Sequence, residues 1–192
     1  MSQPLLEVHF HLADGSTTSF AQSDAGAVRG ILANVQHGRI FAQPTLVIAG
    51  TSSVTALPGN LITRLDLVLS EADIPNWLLQ LEPNGIIKTE ISLEQFQLSQ
   101  ESHADPASTT LWEDIRLAGG SRCLMEVHRP VQSSLTVQRQ HLQNVFSLPS
   151  LSCRRLGGGV SLLNPAQIVS HTYYPKMEPP ASAWVAESIQ YP

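Results

Sequence analysis

LADGS at residues 12–16 is the stretch that decides the fold, because LAGGS follows at residues 117–121, an offset of 105 (117 minus 12). A second pair shares that offset, since IFAQPTL at residues 40–46 is matched by VFSLPSL at residues 145–151. Beyond the three glycines at residues 157–159 the offset becomes 106 (160 minus 54). Surface turns tolerate such a change in length. Two separate clusters with one offset therefore predict an internal duplication.

The duplication divides the chain into three parts. A first unit is expected in residues 1–81, a connector in residues 82–110 and a second unit in residues 111–192. Within the connector, an Asn-Gly turn and the apolar residues after it predict a strand over residues 86–91. The polar residues 99–108 are typical of a flexible linker.

Each unit is expected to begin with a β-hairpin. Apolar and polar residues alternate over residues 6–12, which is the period of a half-buried strand. Asp14 and Gly15 supply the backbone conformations that a tight turn requires. The return strand then includes Thr17 and Phe20.

A helix is predicted after the first hairpin. Ser23 or Asp24 would cap its N-terminus, and Gly38 would end it. In the second unit, Pro130 would begin the corresponding helix. The apolar face of the first helix has the spacing i, i+3, i+4 and i+7, at Val28, Ile31, Leu32 and Val35.

Three strands complete each unit, so that the order is ββαβββ. Hairpin connections dominate this order, which predicts an α+β fold with a mainly antiparallel sheet. Because each unit is small, we expect the two units to pack together around a pseudo-two-fold axis. The strands are predicted at residues 46–49, 54–57 and from 61 onward, and at residues 151–155, 160–163 and 168–174.

Composition and charge narrow the classes of function. The sequence has 192 residues and a net charge of -5. Residues 1–111 carry four basic and eleven acidic residues, and residues 112–192 carry seven and five, so the two parts have net charges of -7 and +2. This asymmetry favours contact between the halves or head-to-tail self-association. It is too weak for a nucleic-acid interface.

No targeting or membrane segment is apparent in the sequence. The N-terminus lacks the basic and apolar regions of a signal peptide. The apolar runs are far shorter than the roughly 18 residues of a membrane helix. We therefore expect a cytoplasmic protein that does not bind membranes.

The cysteines and the first two histidines predict neither a metal nor another cofactor. Cys123 and Cys153 have no metal-binding or redox spacing, and they are expected to be buried free thiols. His9 and His11 share one face of a strand, but the second unit does not supply further ligands.

Catalytic signatures are also missing from the sequence. His128, His141 and His171 are not embedded in any hydrolase or metalloprotease motif, so the sequence favours a non-catalytic protein without deciding the question. Asp66 and Arg64 fall on the same side of a strand, where a surface or interface ion pair is the expected arrangement.

Four residues are the candidates for binding an anion. Arg154 and Arg155 precede the glycine run of residues 157–159, which is expected to form a hairpin turn. Arginines beside glycine-rich backbone can hold a phosphate. The candidate residues are Arg122, Arg154, Arg155 and Gly158.

Aromatic residues are the candidates for an interface. Trp77 and Trp184 occupy matching places in the two units and are expected at a seam between them. Tyr173 and Tyr174 precede a proline-rich segment. That segment either docks on a partner or packs as an arm on its own unit.

The absence of a catalytic constellation and the hairpin-rich architecture favour one class of function. We expect a non-catalytic binding or assembly protein that acts through protein–protein contacts, with another protein or with itself. The alternative is a protein that binds a small molecule or an anion, possibly an enzyme, in the cleft between the two units and with the arginines named above.

Overall fold

The computed structural model describes residues 4–70, 73–74, 85–101, 109–129, 134–187 and 189. The helices in these residues are α1 (Ala25–Val35), α2 (Leu93–Glu101) and α3 (Leu135–Asn144). The strands are β1 (Leu6–Leu12), β2 (Thr17–Gln22), β3 (Leu46–Ala49), β4 (Val54–Leu57), β5 (Ile62–Val68), β6 (Ile87–Glu90), β7 (Thr110–Leu117), β8 (Arg122–His128), β9 (Leu151–Arg154), β10 (Val160–Leu163) and β11 (Ile168–Tyr174).

Nine of these strands form one sheet in the order β11-β7-β8-β6-β9-β10-β5-β1-β2. Its neighbouring strands are antiparallel, except β6 and β9, which are parallel. β3 and β4 form a separate two-stranded sheet. The fold is therefore α+β with a mostly antiparallel sheet, as the hairpin spacing predicted.

The two halves of the described chain have the same order of elements, ββαβββ. β9 begins 105 residues after β3 (151 minus 46), and β11 begins 106 residues after β5 (168 minus 62). Strand pairing also corresponds, because β1 lies between β2 and β5, and β7 lies between β8 and β11.

The first hairpin and helix lie close to their predicted positions. The Asp24 carboxylate accepts a hydrogen bond of 2.7 Å from the Ala27 N–H and caps α1. The helix ends at Val35 rather than at Gly38. A 3₁₀ helix over Gln36–Ala42 follows, and it places Ile40 in the core. The 3₁₀ helix thus allows apolar residues that follow α1 to pack into the core.

α2 replaces part of the predicted linker. Ser92 and Gln95 cap each other reciprocally, with a 2.8 Å bond from the Ser92 N–H and a 3.2 Å bond from the Gln95 N–H. Phe96 is buried and contacts Tyr174 at a ring distance of 5.7 Å. Residues 99–101 are therefore helical, whereas residues 102–108 lie outside the described part.

α3 begins later than the sequence predicted. The Ser134 hydroxyl accepts a 3.4 Å bond from the Val137 N–H, and the helix starts at Leu135. The predicted start at Pro130 lies outside the described residues. No described helix has the length and apolarity needed to cross a bilayer.

Two hydrophobic clusters form the core, and they share the middle of the large sheet. Leu65 of β5 and Leu162 of β10 belong to the first cluster. Cys153 of β9 and Leu163 of β10 belong to the second. Since successive residues of a strand point to opposite faces, β10 contributes side chains to both clusters and joins the two halves.

Candidate functional site

A groove of about 300 Å³ lies between β2 and β3 in the first half. β1, α1 and the 3₁₀ helix after it also contribute to its walls. Among its lining residues are Phe20, Ala21, Ile31, Val35, Ile48 and Ala49. The described residues that line it include no charged side chain, so the groove suits an apolar occupant.

Among the strands that the structure describes, none pairs with the edge of β2 beside this groove. Leu12 donates its N–H to the Ser16 carbonyl at 2.9 Å and sets the register of the β1–β2 hairpin. In an antiparallel pair of strands, hydrogen-bonded residue pairs alternate with pairs that are not hydrogen-bonded. In this register Ser19 and Ala21 belong to the second kind, so their N–H and C=O groups point away from β1. These groups point to the free edge.

The edge of β3 is free for the same reason. Gly50 donates its N–H to the Ser53 carbonyl at 2.8 Å, which sets the register with β4. The backbone groups of Val47 and Ala49 are therefore turned away from β4. β2 and β3 thus present two unpaired edges to one groove.

The corresponding gap in the second half is filled by a strand. β6 lies between β8 and β9, antiparallel to the first and parallel to the second. Its Thr89 is opposite both Glu126 and Arg154. Glu126 and Arg154 lie 105 residues after Ala21 and Ala49 (126 minus 21 and 154 minus 49), so the two alanines are their counterparts in the first half. Both alanines line the groove, where no described strand stands between β2 and β3.

Lys88 of β6 forms an ion pair inside the second half. The Lys88 Nζ donates to both carboxylate oxygens of Glu113, at 3.1 and 3.2 Å. Glu113 is only 2% exposed. Burial raises the pKa of its carboxyl group, but the charge of Lys88 and a hydrogen bond from His171 outweigh burial and lower the pKa to about 2.

A chain of hydrogen bonds continues from Glu113. The Nε2 of His171 lies 3.2 Å from the Glu113 carboxylate, and the His171 Nδ1 lies 3.0 Å from the Tyr173 hydroxyl. An ionised carboxylate only accepts, so the His171 Nε2 donates to Glu113, and the Tyr173 O–H is assigned as the donor to the His171 Nδ1. The His141 Nε2 then donates to the tyrosine oxygen at 3.0 Å.

This chain borders a cavity of about 110 Å³. Burial raises the pKa of Tyr173 well above its usual value. Burial also lowers the pKa of His141, and the nearby charge of Lys88 adds to that effect. The other lining residues include Ile86, Leu111, Val127, Arg129, Val137 and Met177.

A second buried group of ionisable residues, the Arg64 cluster, consists of Arg64, Asp66, Glu90 and Ser161. The Arg64 Nε donates to Asp66 at 2.6 Å, and its terminal nitrogens donate to the Glu90 carboxylate at 2.5 and 2.9 Å. Ser161 donates to Asp66 at 2.7 Å. Arg64 and Asp66 share a side of β5 as predicted. They are buried rather than on the surface, because Ser161 of β10 and Glu90 of β6 contact them.

The Arg64 cluster keeps the Asp66 carboxylate ionised. Burial raises the pKa of Asp66, but hydrogen bonds from His11, Arg64 and Ser161 and the charge of Arg64 outweigh burial, so the pKa lies well below its usual value. Burial lowers the pKa of Arg64, and the hydrogen bonds to Glu90 and Asp66 more than reverse that shift.

The candidate anion-binding residues are divided among different partners. Arg122 donates two bonds of 2.8 Å to Asp114. The Arg155 Nε lies 3.4 Å from Asp66. Arg154 ends β9, opposite Val160 and next to β6. Arg122 and Arg155 thus belong to two separate ion pairs.

The glycine run forms the predicted hairpin turn between β9 and β10. Gly157, Gly158 and Gly159 have φ angles of 87°, 104° and 86°. A β-carbon on Gly159 would overlap the Leu67 carbonyl of β5, whereas nothing lies near one on Gly158. The turn therefore needs glycine for close approach as well as for its backbone conformation.

The candidate interface residues have different environments. Trp77 lies outside the described residues. Trp184 is 99% exposed, so its side chain packs on no described part of this chain. Tyr173 belongs to the hydrogen-bond chain from Glu113, and Tyr174 packs edge-on against Phe96.

The segment after β11 packs on its own half as an arm. Arg139 of α3 donates to the Glu178 carboxylate at 2.7 Å. The Glu178 N–H donates to the Gln138 side chain at 3.0 Å. Both contacts join the arm to α3.

The cysteines are free and buried, as the sequence predicted, and their sulfur atoms lie 4.0 Å apart. His9 contacts Ser19 at 2.7 Å, and His11 contacts Asp66 at 3.2 Å. Among the described residues, no group of three or more His, Cys, Asp or Glu side chains is placed to hold a metal ion.

Sequence reasoning missed the groove and the buried pair of Lys88 and Glu113. The buried pair could have been predicted, because Glu113 lies on the same face of β7 as the apolar residues Leu111, Ile115 and Leu117. No feature of the sequence indicated the groove. Comparison with family models, with curated proteins and with solved structures found no match to this chain.

Proposed function

We propose that this chain is a non-catalytic binding or assembly protein that accepts an extended protein segment as an additional strand between β2 and β3. One observation carries the proposal: the corresponding gap in the second half is filled by β6, whereas the groove in the first half is lined by two free strand edges. Strand addition is a common mode of peptide recognition.

The proposal includes the duplication of one ββαβββ unit around a pseudo-two-fold axis. The common element order supports it, and so do the strand offsets, which all lie between 104 (110 minus 6) and 106 (168 minus 62). Contact between the turns that contain Gly15 and Gly119 also supports it. β6 comes from the connector, which is present once in this sequence, and its backbone pairs with β8 and β9 of the second unit. The first unit therefore needs a strand from another source.

The groove supplies both affinity and selectivity for such a segment. Backbone groups of Ser19 and Ala21 on one side, and of Val47 and Ala49 on the other, are available for main-chain hydrogen bonds. The uncharged walls favour apolar side chains at alternate positions of the segment. A residue of the segment opposite Ala21 would also lie beside Ala49, as Thr89 does between its two partners.

Proline substitution at the free edges tests this proposal. Ala21→Pro removes an N–H that points into the groove and breaks no bond to β1. Against an array of eight-residue peptides, we expect the unsubstituted chain to bind apolar extended sequences and Ala21→Pro to bind them at least about tenfold more weakly.

Ala56→Pro is the matched control for this experiment. Ala56 is an exposed alanine on β4, and by the same alternation its N–H points away from β3 and from the groove. This variant should bind the same peptides normally. Equal binding by Ala21→Pro and the unsubstituted chain, with both chains folded by circular dichroism, would overturn the proposal.

A second candidate function, the binding of a small molecule, is supported by the cavity of about 110 Å³ beside His141 and Tyr173. Its charged lining residues are Lys88, Arg129 and Glu113. Two cationic groups and one anionic group favour a small anion with an apolar part. Calorimetric titration with short monocarboxylates tests this function. Met177→Trp should fill the cavity and abolish any binding that is found there.

A further inference from the structure

We infer that the occupant of the groove is the C-terminal segment of a second copy of this chain, which makes the protein a head-to-tail self-assembling module. The inference rests on the proposed function, because it names the partner of the same groove. Its evidence comes from the other end of the chain, where apolar side chains are left in solvent.

The C-terminal segment is unusually exposed for its composition. Trp184 is 99% exposed, Val185 is 96% exposed and Ile189 is 69% exposed. Single exposed apolar residues are common on protein surfaces, but large ones grouped in one segment mark an interaction site. Trp is also among the residues that contribute most to the binding energy of interfaces.

The segment matches the length of β2, and strand alternation keeps its charged residue out of the groove. Residues 184–189 would span about 20 Å as a strand, which is the length of the six-residue strand β2. A strand that turns Trp184 into the uncharged groove turns Glu187, three positions further on, to the opposite face and to solvent. The last prolines before the segment, Pro179 and Pro180, leave its own N–H groups available for pairing.

The arrangement of a single chain favours an intermolecular contact. The arm is attached to α3 through Glu178 and Arg139, and Trp184 beyond it is solvated while the groove between β2 and β3 is open. One molecule therefore carries both an exposed apolar tail and a groove lined by strand edges. A tail of one copy in the groove of the next is a heterologous contact, which forms chains or closes into rings.

Complementation between two full-length variants tests the inference. The tail variant carries Trp184→Ser and Val185→Ser together, and the groove variant carries Ala21→Pro. The side chains of Trp184 and Val185 are almost fully solvated, so their replacement leaves the fold of one chain intact. The tail variant keeps a groove, and the groove variant keeps a tail.

Light scattering coupled to size exclusion is the measurement. The mass of the unsubstituted chain should rise above 20.9 kDa as its concentration increases from about 1 to about 200 µM. Each variant alone should stay at the monomer mass over this range. An equimolar mixture of the two should form a dimer and nothing larger, because only one groove and one tail remain functional. Val169→Ser, which replaces an exposed valine of β11, is the control and should assemble normally.

The possible failures are distinguishable. An unsubstituted chain that stays monomeric, or a mixture that forms no dimer, overturns the inference. If the tail variant still binds peptides from the array at its groove, the proposed function stands and only the partner is wrong. If Ala21→Pro assembles like the unsubstituted chain and also binds the peptides, both the inference and the proposed function fail.

Discussion

Gly119 lies against Gly15 where the turn of the β7–β8 hairpin meets the turn of the β1–β2 hairpin. A β-carbon on Gly119 would be 2.8 Å from the Gly15 backbone nitrogen and 2.7 Å from the Leu12 carbonyl oxygen. The LADGS and LAGGS segments, which are similar in sequence, are thus in direct contact. This contact joins the two halves at a point away from the pairing of β5 with β10.

Gly119→Ala should destabilise the protein by about 2 to 4 kcal/mol, because it combines an unfavourable positive φ with a backbone clash. Gly120→Ala is a matched control, since Gly120 has a φ of 84° but has nothing near its β-carbon position. We expect Gly120→Ala to cost about 1 kcal/mol. Urea unfolding measures both, and equal losses would contradict the close contact of the turns.

The Lys88–Glu113 pair should make stability depend on acid. The folded pKa of Glu113 is lowered from 4.5 to about 2. A lowered pKa contributes stability above the unfolded value, and that contribution is lost as the pH falls through the folded value. It amounts to on the order of 3 kcal/mol, lost between about pH 5 and pH 2.

Glu113→Gln tests this dependence. The variant should be less stable than the unsubstituted chain at pH 7, because Lys88 loses its buried partner. The difference in unfolding free energy should shrink as the pH falls from about 5 to about 2. Glu94→Gln, on the exposed surface of α2, is the control and should show a small difference at every pH. A constant difference for Glu113→Gln would exclude the assigned role.

The two cysteines should resist thiol reagents in the folded protein. The hydrogen bond to Cys153, together with burial, raises the pKa of the Cys123 thiol well above its usual value. A thiol that stays protonated and inaccessible reacts only through opening of the structure. Colorimetric labelling at pH 8 should be at least about 100-fold slower than in urea. Rapid labelling of native protein would show that the second core cluster is open to solvent.

Local structure was predictable from the sequence to a large extent. The hairpin at residues 6–20, the strands at residues 46–49 and 54–57, and the strand at residues 168–174 lie where alternation and turn residues placed them. These signals act within a few residues of each other along the chain. The helix ends were less accurate, because tertiary packing of Ile40 and Phe96 decided where α1 stops and whether α2 forms.

The candidate site was not predictable in the same way. Its residues Ala21 and Ala49 carry no chemical signal, and they matter only because β2 and β3 both lack a neighbour on one edge. The burial of Asp66 was missed for a similar reason. Its partner Ser161, and the Glu90 carboxylate that binds the neighbouring Arg64, come from strands that are distant in sequence.

The sequence by itself determined most of the strands and their turns, because backbone conformation follows from neighbouring residues. Only the tertiary structure decided which edges pair. Any strand edge offers the same pattern of N–H and C=O groups to any other, so alternation alone does not say that β10 joins β5 or that β6 enters the second half. The observed strand pairing buries two clusters of ionisable residues. It also forms the groove between β2 and β3, which is the candidate functional site in the first half.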